Sequence, residues 1–219
     1  PQTEPKQIGE RRLLVKAPAK NKFIMKLWKA PVISGNSGPM EYSNLKTRDV
    51  LALGVLSSLI SDSDTGVLVK KLVRENKKAL SLSSGSTWVS RGPGYFILQA
   101  TPYDSVSLQE LESEIDYEIK QILEEGISTE KLQVLIRQAK ADQVFQRDSI
   151  MSMVREAAML ASAGRPLEDA DNWLKMLSKL TSEDIKSVGR KVFNDDNMTV
   201  LEFIPLDVYS KSKTAESNF

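Results

Sequence analysis

The segment from Ala79 to Pro102 restricts the possible folds of this chain more than any other part of it. The run ALSLSSGSTWVS alternates small polar and apolar residues, the turn Arg91-Gly-Pro-Gly94 follows, and the apolar run YFILQATP comes next. Two strand-like runs joined by a Gly/Pro turn are typical of a β-hairpin. The sequence therefore predicts an antiparallel pair of strands in the middle of the chain.

Strands and helices are grouped in blocks on either side of this hairpin. Apolar runs predict further strands over about 12–17, 23–30 and 198–206, and apolar residues at helical spacing predict two helices between the second strand and the hairpin. Four helices follow the hairpin, and the one over 129–163 has an interrupted apolar stripe near Arg147 and Asp148. The order β-β-α-α-β-β-α-α-α-α-β predicts an α+β fold, with an antiparallel or mixed β-sheet and helices packed on one face. We expect a linker or lead-in over 1–10, a single domain over 11–207 and a disordered tail over 208–219.

Histidine and cysteine are both absent from the 219 residues. Without them a chain cannot build disulfides, a typical catalytic zinc site, a Ser-His-Asp triad or a Cys-His pair. Carboxylates remain as metal ligands, but the pairs Asp62/Asp64 and Asp195/Asp196 lie in turn-like contexts, where such residues commonly cap and shape the backbone. We therefore predict neither catalytic residues nor a metal site in this chain.

The formal net charge is only +1. A strong basic field that would hold nucleic acid is therefore absent, and no apolar run approaches the roughly 20 residues needed to span a bilayer. We predict a soluble protein with no nucleic-acid partner and no membrane span. Because the chain begins at Pro1 and not at methionine, we expect it to be part of something longer.

Several segments, taken in order, resemble one family. QIGERR (7–12) and the helix–strand junction LVKKLVRENKKALSLSSG (68–85) are similar to the second half of the M16 (pitrilysin-like) zinc peptidases and the related mitochondrial processing peptidases. In that family the junction typically reads close to L-x-x-x-L-R-E-K-x-G-L-A-Y-x-V. GYFILQATP, EEGISTEKLQ, KLTSEDIKSVGRKVF and NDDNMTVLEFIPL also fit, so the resemblance covers about Gln7 to Leu206.

The resemblance implies a LuxS/mitochondrial processing peptidase-like metallohydrolase fold and an enzyme made of two halves that enclose a chamber. The active half carries H-x-x-E-H, in which two histidines bind zinc and the glutamate serves as base. A chain without histidine resembles the other half, so zinc is expected in a partner half, either upstream on the same chain or on a separate subunit. This half is expected to close the chamber, to help bind substrate peptide and to cleave nothing by itself. The resemblance also suggests the periplasm, because cysteine-free bacterial members are often exported there.

Two residues carry the expected substrate contact. The family offers an arginine in this helix and a tyrosine seven residues further on, which together reach toward the substrate near the metal. Arg74 matches the arginine, whose guanidinium donates in a fixed fork to a carbonyl. Ser81 stands at the tyrosine position, where a phenol would donate to a developing oxyanion, and Lys78 stands at the glycine position. Arg74 and Ser81 are therefore the candidate substrate-binding residues, although the serine hydroxyl reaches less far than a phenol.

Other interpretations stay open at this stage. Arg74 also suits a solvated position at a helix C-terminus, and Ser81, Ser83 and Ser84 suit an exposed strand whose edge receives an extended peptide. The apolar residues of the long helix, Met151, Met153, Met159 and Leu160, are expected in the core. For the whole chain, the main alternative is a catalytically inert structural or assembly subunit of the same fold, as in the core proteins of respiratory complexes, and a weaker one is a stand-alone peptide-binding module.

Overall fold

A computed structural model describes residues 5–38 and 40–206. In this part of the chain the sheet consists of β1 (Arg11–Pro18), β2 (Phe23–Ala30), β3 (Ala79–Ser86), β4 (Gly94–Pro102) and β5 (Met198–Leu206). The α-helices are α1 (Leu45–Ser61), α2 (Leu108–Glu125), α3 (Thr129–Arg147), α4 (Ile150–Ser162), α5 (Asp169–Leu177) and α6 (Ser182–Val192), and a π-helix spans Val69–Glu75. The predicted order of elements is confirmed with one correction: the long helix predicted over 129–163 is two helices, α3 and α4, so five helices and not four follow the hairpin. The break between them lies at the predicted interruption.

The five strands form one mixed sheet in the order β1-β5-β2-β4-β3. β3 and β4 form the predicted antiparallel hairpin, β2 is antiparallel to both β4 and β5, and β1 runs parallel to β5. The last strand of the chain is thus inserted between the first two. β1 and β3 are the two edges, and each has a partner on one side only.

Side chains with hydrogen-bonding oxygens fix the starts of the helices. Asn44 accepts from the N–H groups of Lys46 and Thr47 at the start of α1, and Ser107 accepts from Glu110 N–H at the start of α2. Thr181 and Asp184 form a reciprocal capping box at the start of α6. Such side chains satisfy backbone donors that have no partner within the helix.

The helices cover one face of the sheet. Ile24 and Trp28 of β2, Phe96 and Leu98 of β4 and Val200 of β5 are buried in a core that they share with α1, α2 and α6. Successive residues of a strand point to opposite faces, so the residues that alternate with these, such as Met25, Leu27 and Ile97, lie on the other face. The predicted α+β arrangement with helices on one face is therefore confirmed.

Two ionic clusters lie within this framework. Lys26, whose side chain is 1% exposed, donates to Asp116 at 2.5 Å beneath α2, and Arg12 of β1 binds Glu112 of the same helix through two nitrogens. Farther along, Arg165 donates to Asp169 at 2.6 Å and to the carbonyl of Gly38 at 2.8 Å. The first cluster connects β1 and β2 to α2, and the second connects the loop before α1 to the segment between α4 and α5.

Some expectations need correction. Thr65 precedes the second helix and is of a residue type that commonly serves as an N-cap, but it does not cap this helix, because its N–H and hydroxyl both donate to Asp62 Oδ1. Leu160 is buried and Met159 packs against a small cluster, but Met151 and Met153 are exposed. The two methionines are two positions apart and therefore lie on nearly opposite sides of α4. At this N-terminal end of the helix neither is covered by a described part of the chain, so helical spacing alone did not place them in the core.

The described part of the lead-in is attached to the sheet. Gln7 is buried, and its amide nitrogen donates to the carbonyl of Met198 at the start of β5. The Gly9 N–H donates to Asp196. The predicted disordered tail over 208–219 lies outside the described residues.

Candidate functional site

The side chain of Asp62 holds the turn between α1 and the π-helix. Asp62 Oδ1 accepts from the N–H groups of Asp64 and Thr65, both at 2.9 Å, and Gln138 donates to its other oxygen. Burial acts to raise the pKa of Asp62, but these hydrogen bonds outweigh it and the pKa is lowered. A Cβ at Gly66 would lie 2.5 Å from the Asp62 carbonyl oxygen, so only glycine fits here without a shift of the backbone.

The π-helix Val69–Glu75 carries Arg74 near its C-terminal end. Its wide winding is visible where it ends, because Asn76 N–H donates to the Lys71 carbonyl and Lys78 N–H to the Leu72 carbonyl. Lys77 closes the segment with a φ of 50°. π-Helical segments are rare and are frequent at functional sites. Hydrogen bonds that reach back five or six residues, and not four, change the direction in which the last side chains of the helix point.

Arg74 reaches back to the turn that precedes its own helix. Its Nη2 donates to the carbonyl of Ser63, and Asp64 Oδ1 lies 3.7 Å from the same nitrogen. The side chain is 52% exposed. A pair this exposed is a weak constraint, so the guanidinium can leave Asp64 for another acceptor at little cost.

Ser81 lies on the exposed side of β3, next to an irregularity in the strand register between Ala79 and Ser81. It pairs with Thr101 of β4. Within the described residues, no hydrogen bond or ion pair joins Ser81 to Arg74. The structure thus places the two candidates on consecutive elements, but it does not join them.

Hydroxyl groups from α1 cover part of the β3 edge. Thr87 N–H donates to the Tyr95 carbonyl, so by alternation Leu82, Ser84 and Ser86 direct their backbone groups away from β4. Of these, Ser84 already donates its N–H to Ser61 Oγ at 2.8 Å. Its hydroxyl also lies 3.1 Å from Ser57 Oγ. An extended peptide at this edge would therefore find one of its backbone partners taken.

The sequence analysis missed these serines of α1. The four-residue spacing of Ser57 and Ser61 places both hydroxyls on one side of a helix, which is a visible signal. What the sequence does not show is that this side of α1 faces the edge strand.

The face of the sheet opposite the helices forms a second surface, which we call the open face. Its β1–β5–β2 part is apolar, and Phe23 of β2 stacks on Phe203 of β5 with ring centroids 4.7 Å apart. Cross-strand partners share a face, so the register extends the apolar part to these side chains: Leu13, Val15, Met25, Leu27 and Leu201. The β4–β3 part is mostly polar, with Ser81, Ser83, Gln99 and Thr101, and it also carries the apolar Ile97. Ser81 thus belongs to a surface with one apolar and one hydroxyl-rich half.

The described residues contain neither a candidate metal site nor a candidate membrane-spanning helix. No group of three or more acidic side chains in residues 5–38 and 40–206 is arranged to hold a metal ion. In the same ranges, every helix is too short or too polar to cross a bilayer.

Comparison with known proteins identifies the family. The family model described as "Peptidase M16 inactive domain" matches residues 1–139, which is more than half of the chain. This chain belongs to that family. The resemblance noted in the sequence is thereby confirmed, and no curated protein matches the chain.

Solved structures show the same fold at low sequence identity. A protease from Helicobacter pylori superposes with a TM-score of 0.79 at 20% identity, over 92% of this chain and 46% of that chain. A peptidase M16 inactive domain from Pseudomonas fluorescens gives 0.72 at 15% identity, over 93% and 46%. The periplasmic protease PqqL from Escherichia coli gives 0.62 at 14% identity, over 90% and 21%. This M16 chain therefore spans less than half the length of these similar proteins.

Proposed function

We propose that this chain is the non-catalytic half of an M16-type zinc metallopeptidase. It closes the peptide chamber against a partner half that carries H-x-x-E-H and the zinc ion, and it helps to bind the substrate peptide. Alone it cleaves nothing. The observation that carries the proposal is the open face. The described residues cover the sheet on one side only, and the other side is apolar over half of its area, which leaves a surface for a second body.

Arg74 and Ser81 are the proposed substrate-binding residues. Arg74 is half exposed, and among the described residues it is held by a weak pair with Asp64 and by one carbonyl. A substrate carbonyl offers its guanidinium the same kind of acceptor that Ser63 offers now. Ser81 presents a hydroxyl on the polar half of the open face.

The location that goes with this function is the periplasm. Its support is the fold shared with the periplasmic protease PqqL and the absence of cysteine from the chain. The partner half lies upstream on the same chain or on a separate subunit.

A quenched-fluorescent peptide tests the proposal directly. The H-x-x-E-H half is assayed alone, with the wild-type chain, with the Arg74→Ala variant and with the Arg137→Ala variant. Arg137→Ala is the control, because Arg137 is an exposed helical arginine with no partner in the described residues. We expect cleavage only when the chain is added, and a loss of tenfold or more with Arg74→Ala alone, equivalent to about 1.4 kcal/mol. Equal restoration by all three versions would remove Arg74 from the site and leave the chain as a wall of the chamber.

The second candidate function is an inert structural or assembly subunit. Ser81, in the place of the family tyrosine, is the observation that favours it, because the transition-state donor of that position is missing. If the chain binds the H-x-x-E-H half and no version of it restores cleavage, this second function is the correct one.

A further inference from the structure

Helices α2 and α6 lie side by side and separate at one end. They run in opposite directions, because a Cβ at Gly126 would lie 3.0 Å from Lys186 and one at Gly189 would lie 2.2 Å from Leu123. Beyond this last contact α6 ends at Val192, whereas α2 continues toward its N-terminus. The gap that opens there is a cavity of about 480 Å³, which we call the α2–α6 cavity.

The floor of this cavity is apolar and firmly packed. Trp28 of β2, Met198 of β5 and Phe193, which follows α6, form the floor, and Ile119 and Leu123 of α2 form one wall. Trp28 is 3% exposed, and the Phe193 ring meets it edge to face with centroids 4.8 Å apart. Small-molecule sites are typically concave and mostly apolar, with volumes of roughly 300 to 1,000 Å³, and the α2–α6 cavity meets these criteria.

A buried lysine fixes one carboxylate in the wall. Lys26 lies 5.8 Å from the centroid of the Trp28 ring, and its Nζ donates to Asp116 Oδ1 at 2.5 Å. The lysine side chain is 1% exposed, whereas that of Asp116 is 50% exposed. Asp116 lines the cavity, and its second oxygen accepts no hydrogen bond within the described residues. One carboxylate oxygen is thus held in place from below, and the other is available to a ligand.

Two further charges of opposite sign at the rim have no partner within the described residues. Arg190 and Lys191 both lie in the last turn of α6, but Lys191 binds Asp49, whereas Arg190 forms no hydrogen bond or ion pair and lines the cavity. Asp195, in the turn after α6, lines it as well, and its carboxylate is equally unpaired. Because Arg190 and Asp195 are not paired with each other, they can bind two different groups of one ligand.

The remaining rim charges largely satisfy each other. Lys120 and Glu124 of α2 lie 3.8 Å apart as an exposed i,i+4 pair. The groups left for a ligand are therefore one guanidinium, two carboxylates and an aromatic floor.

We propose that the α2–α6 cavity binds a small apolar zwitterion, namely an apolar amino acid or dipeptide with both termini charged. Arg190 binds the carboxylate of the ligand through its planar fork of donors, and Asp116 and Asp195 bind the ammonium group. The apolar side chain packs on Trp28 and Phe193. An uncharged apolar ligand would leave the rim charges unpaired, and a purely polar one would leave the aromatic floor uncovered.

This inference is independent of the proposed function. Trp28 belongs to the core that the sheet shares with the helices, so the cavity lies on the helix side of the sheet and not on the open face. The isolated chain is therefore sufficient for the test.

NMR titration of the ¹⁵N-labelled chain with L-leucyl-L-phenylalanine tests the site. The chain has three tryptophans, of which Trp28 lines the cavity, whereas Trp88 and Trp173 contact each other elsewhere. Trp88→Phe and Trp173→Phe assign the three indole N–H signals. We expect the dipeptide to shift the Trp28 signal and to leave the other two unchanged.

Two matched probes separate the apolar from the charged contribution. N-acetyl-leucyl-phenylalaninamide keeps the apolar side chains without the terminal charges, and glycylglycine keeps the charges without the side chains. We expect each of them to bind at least tenfold more weakly than leucyl-phenylalanine, because each loses one of the two kinds of contact.

Removal of the guanidinium provides an independent readout. Arg190→Ala is expected to raise the Kd for leucyl-phenylalanine at least tenfold at an unchanged Tm, since Arg190 is exposed, and Arg137→Ala on α3 is the control that leaves the Kd unchanged. Absence of a Trp28 shift up to about 10 mM dipeptide, well above the millimolar range of weak specific binding, would overturn the site. A shift of all three indole signals would show nonspecific binding and would overturn it as well. Equal binding of the capped dipeptide, or an unchanged Kd for Arg190→Ala, would overturn the recognition of a zwitterion.

Discussion

At Lys77 the backbone has a φ of 50°, a conformation that costs a residue with a side chain roughly 1 to 2 kcal/mol and glycine much less. The structure needs this turn to lead from the π-helix into β3. Lys77→Gly is therefore expected to stabilise the protein by about 0.5 to 1 kcal/mol after the entropy of glycine is subtracted, raising the Tm by roughly 1 to 4 °C. Thermal unfolding followed by circular dichroism measures this change, with Lys70→Gly in the same π-helix as a control that should lower the Tm.

The neighbouring position of functional interest is Ser81. Because its side chain is exposed, Ser81→Tyr should fold normally and return a phenol to the place where the family has one. We expect roughly a tenfold or larger gain in cleavage by the assembled enzyme with an unchanged Tm. Ser83→Tyr, two residues along on the same face, controls for the mere addition of an aromatic ring. An equal gain from both variants would mean that Ser81 has no special position.

Among the elements, the segment between α4 and α5 depends on a single buried ion pair. The side chains of Arg165 and Asp169 are 5% and 4% exposed, and Arg165 also donates to the Gly38 carbonyl. Arg165→Met leaves the Asp169 carboxylate buried without a partner, which is expected to cost about 3 to 5 kcal/mol. Urea unfolding measures the loss. The double variant Arg165→Met/Asp169→Leu should recover most of it, and a double variant as unstable as the single one would contradict the ionic explanation.

Elements with strong local signals were predictable from the sequence, and their arrangement was not. The Gly/Pro turn at Arg91–Gly94 and the alternating residues before it predicted the hairpin, because both effects act over a few residues. The place of β5 between β1 and β2 was not predictable, since the pairing joins residues that are far apart in the chain. The contacts of Arg74 with Ser63 and Asp64 were missed for a related reason: they depend on the π-helix, which an apolar stripe does not distinguish from an α-helix.

For the whole molecule, acidic side chains connect stability to pH. Burial acts to raise the pKa values of Glu112 and Asp184. The hydrogen bond of Glu112 with Arg12, that of Asp184 with Thr181 and nearby positive charges outweigh burial, so both pKa values are lowered. A pKa that is lower in the folded state contributes stability above the unfolded pKa, and this contribution is lost as the pH falls through the folded value. Asp116, whose pKa burial raises, contributes with the opposite sign.

We therefore expect the free energy of unfolding to fall on acidification below about pH 4.5, near the unfolded pKa values of these carboxyl groups. Urea titrations at pH 7, 5, 4 and 3 and constant ionic strength measure it. Glu112→Gln should reduce the acid-dependent part of the loss, because one of the contributing carboxylates is then absent. A stability that rises between pH 5 and pH 3 would show that Asp116 dominates.

The insertion of β5 between β1 and β2 has a consequence for synthesis on the ribosome. Between the end of β2 at Ala30 and the end of β5 at Leu206, elongation takes about 10 to 35 s at typical bacterial and eukaryotic rates. For that whole interval β1 has no strand to pair with, and the edge of β2 that later pairs with β5 has no partner. A nascent chain of this protein therefore leaves the backbone hydrogen-bonding groups of β1 without a strand partner until β5 has been translated, and a chain truncated before β5 lacks the strand that joins β1 to β2.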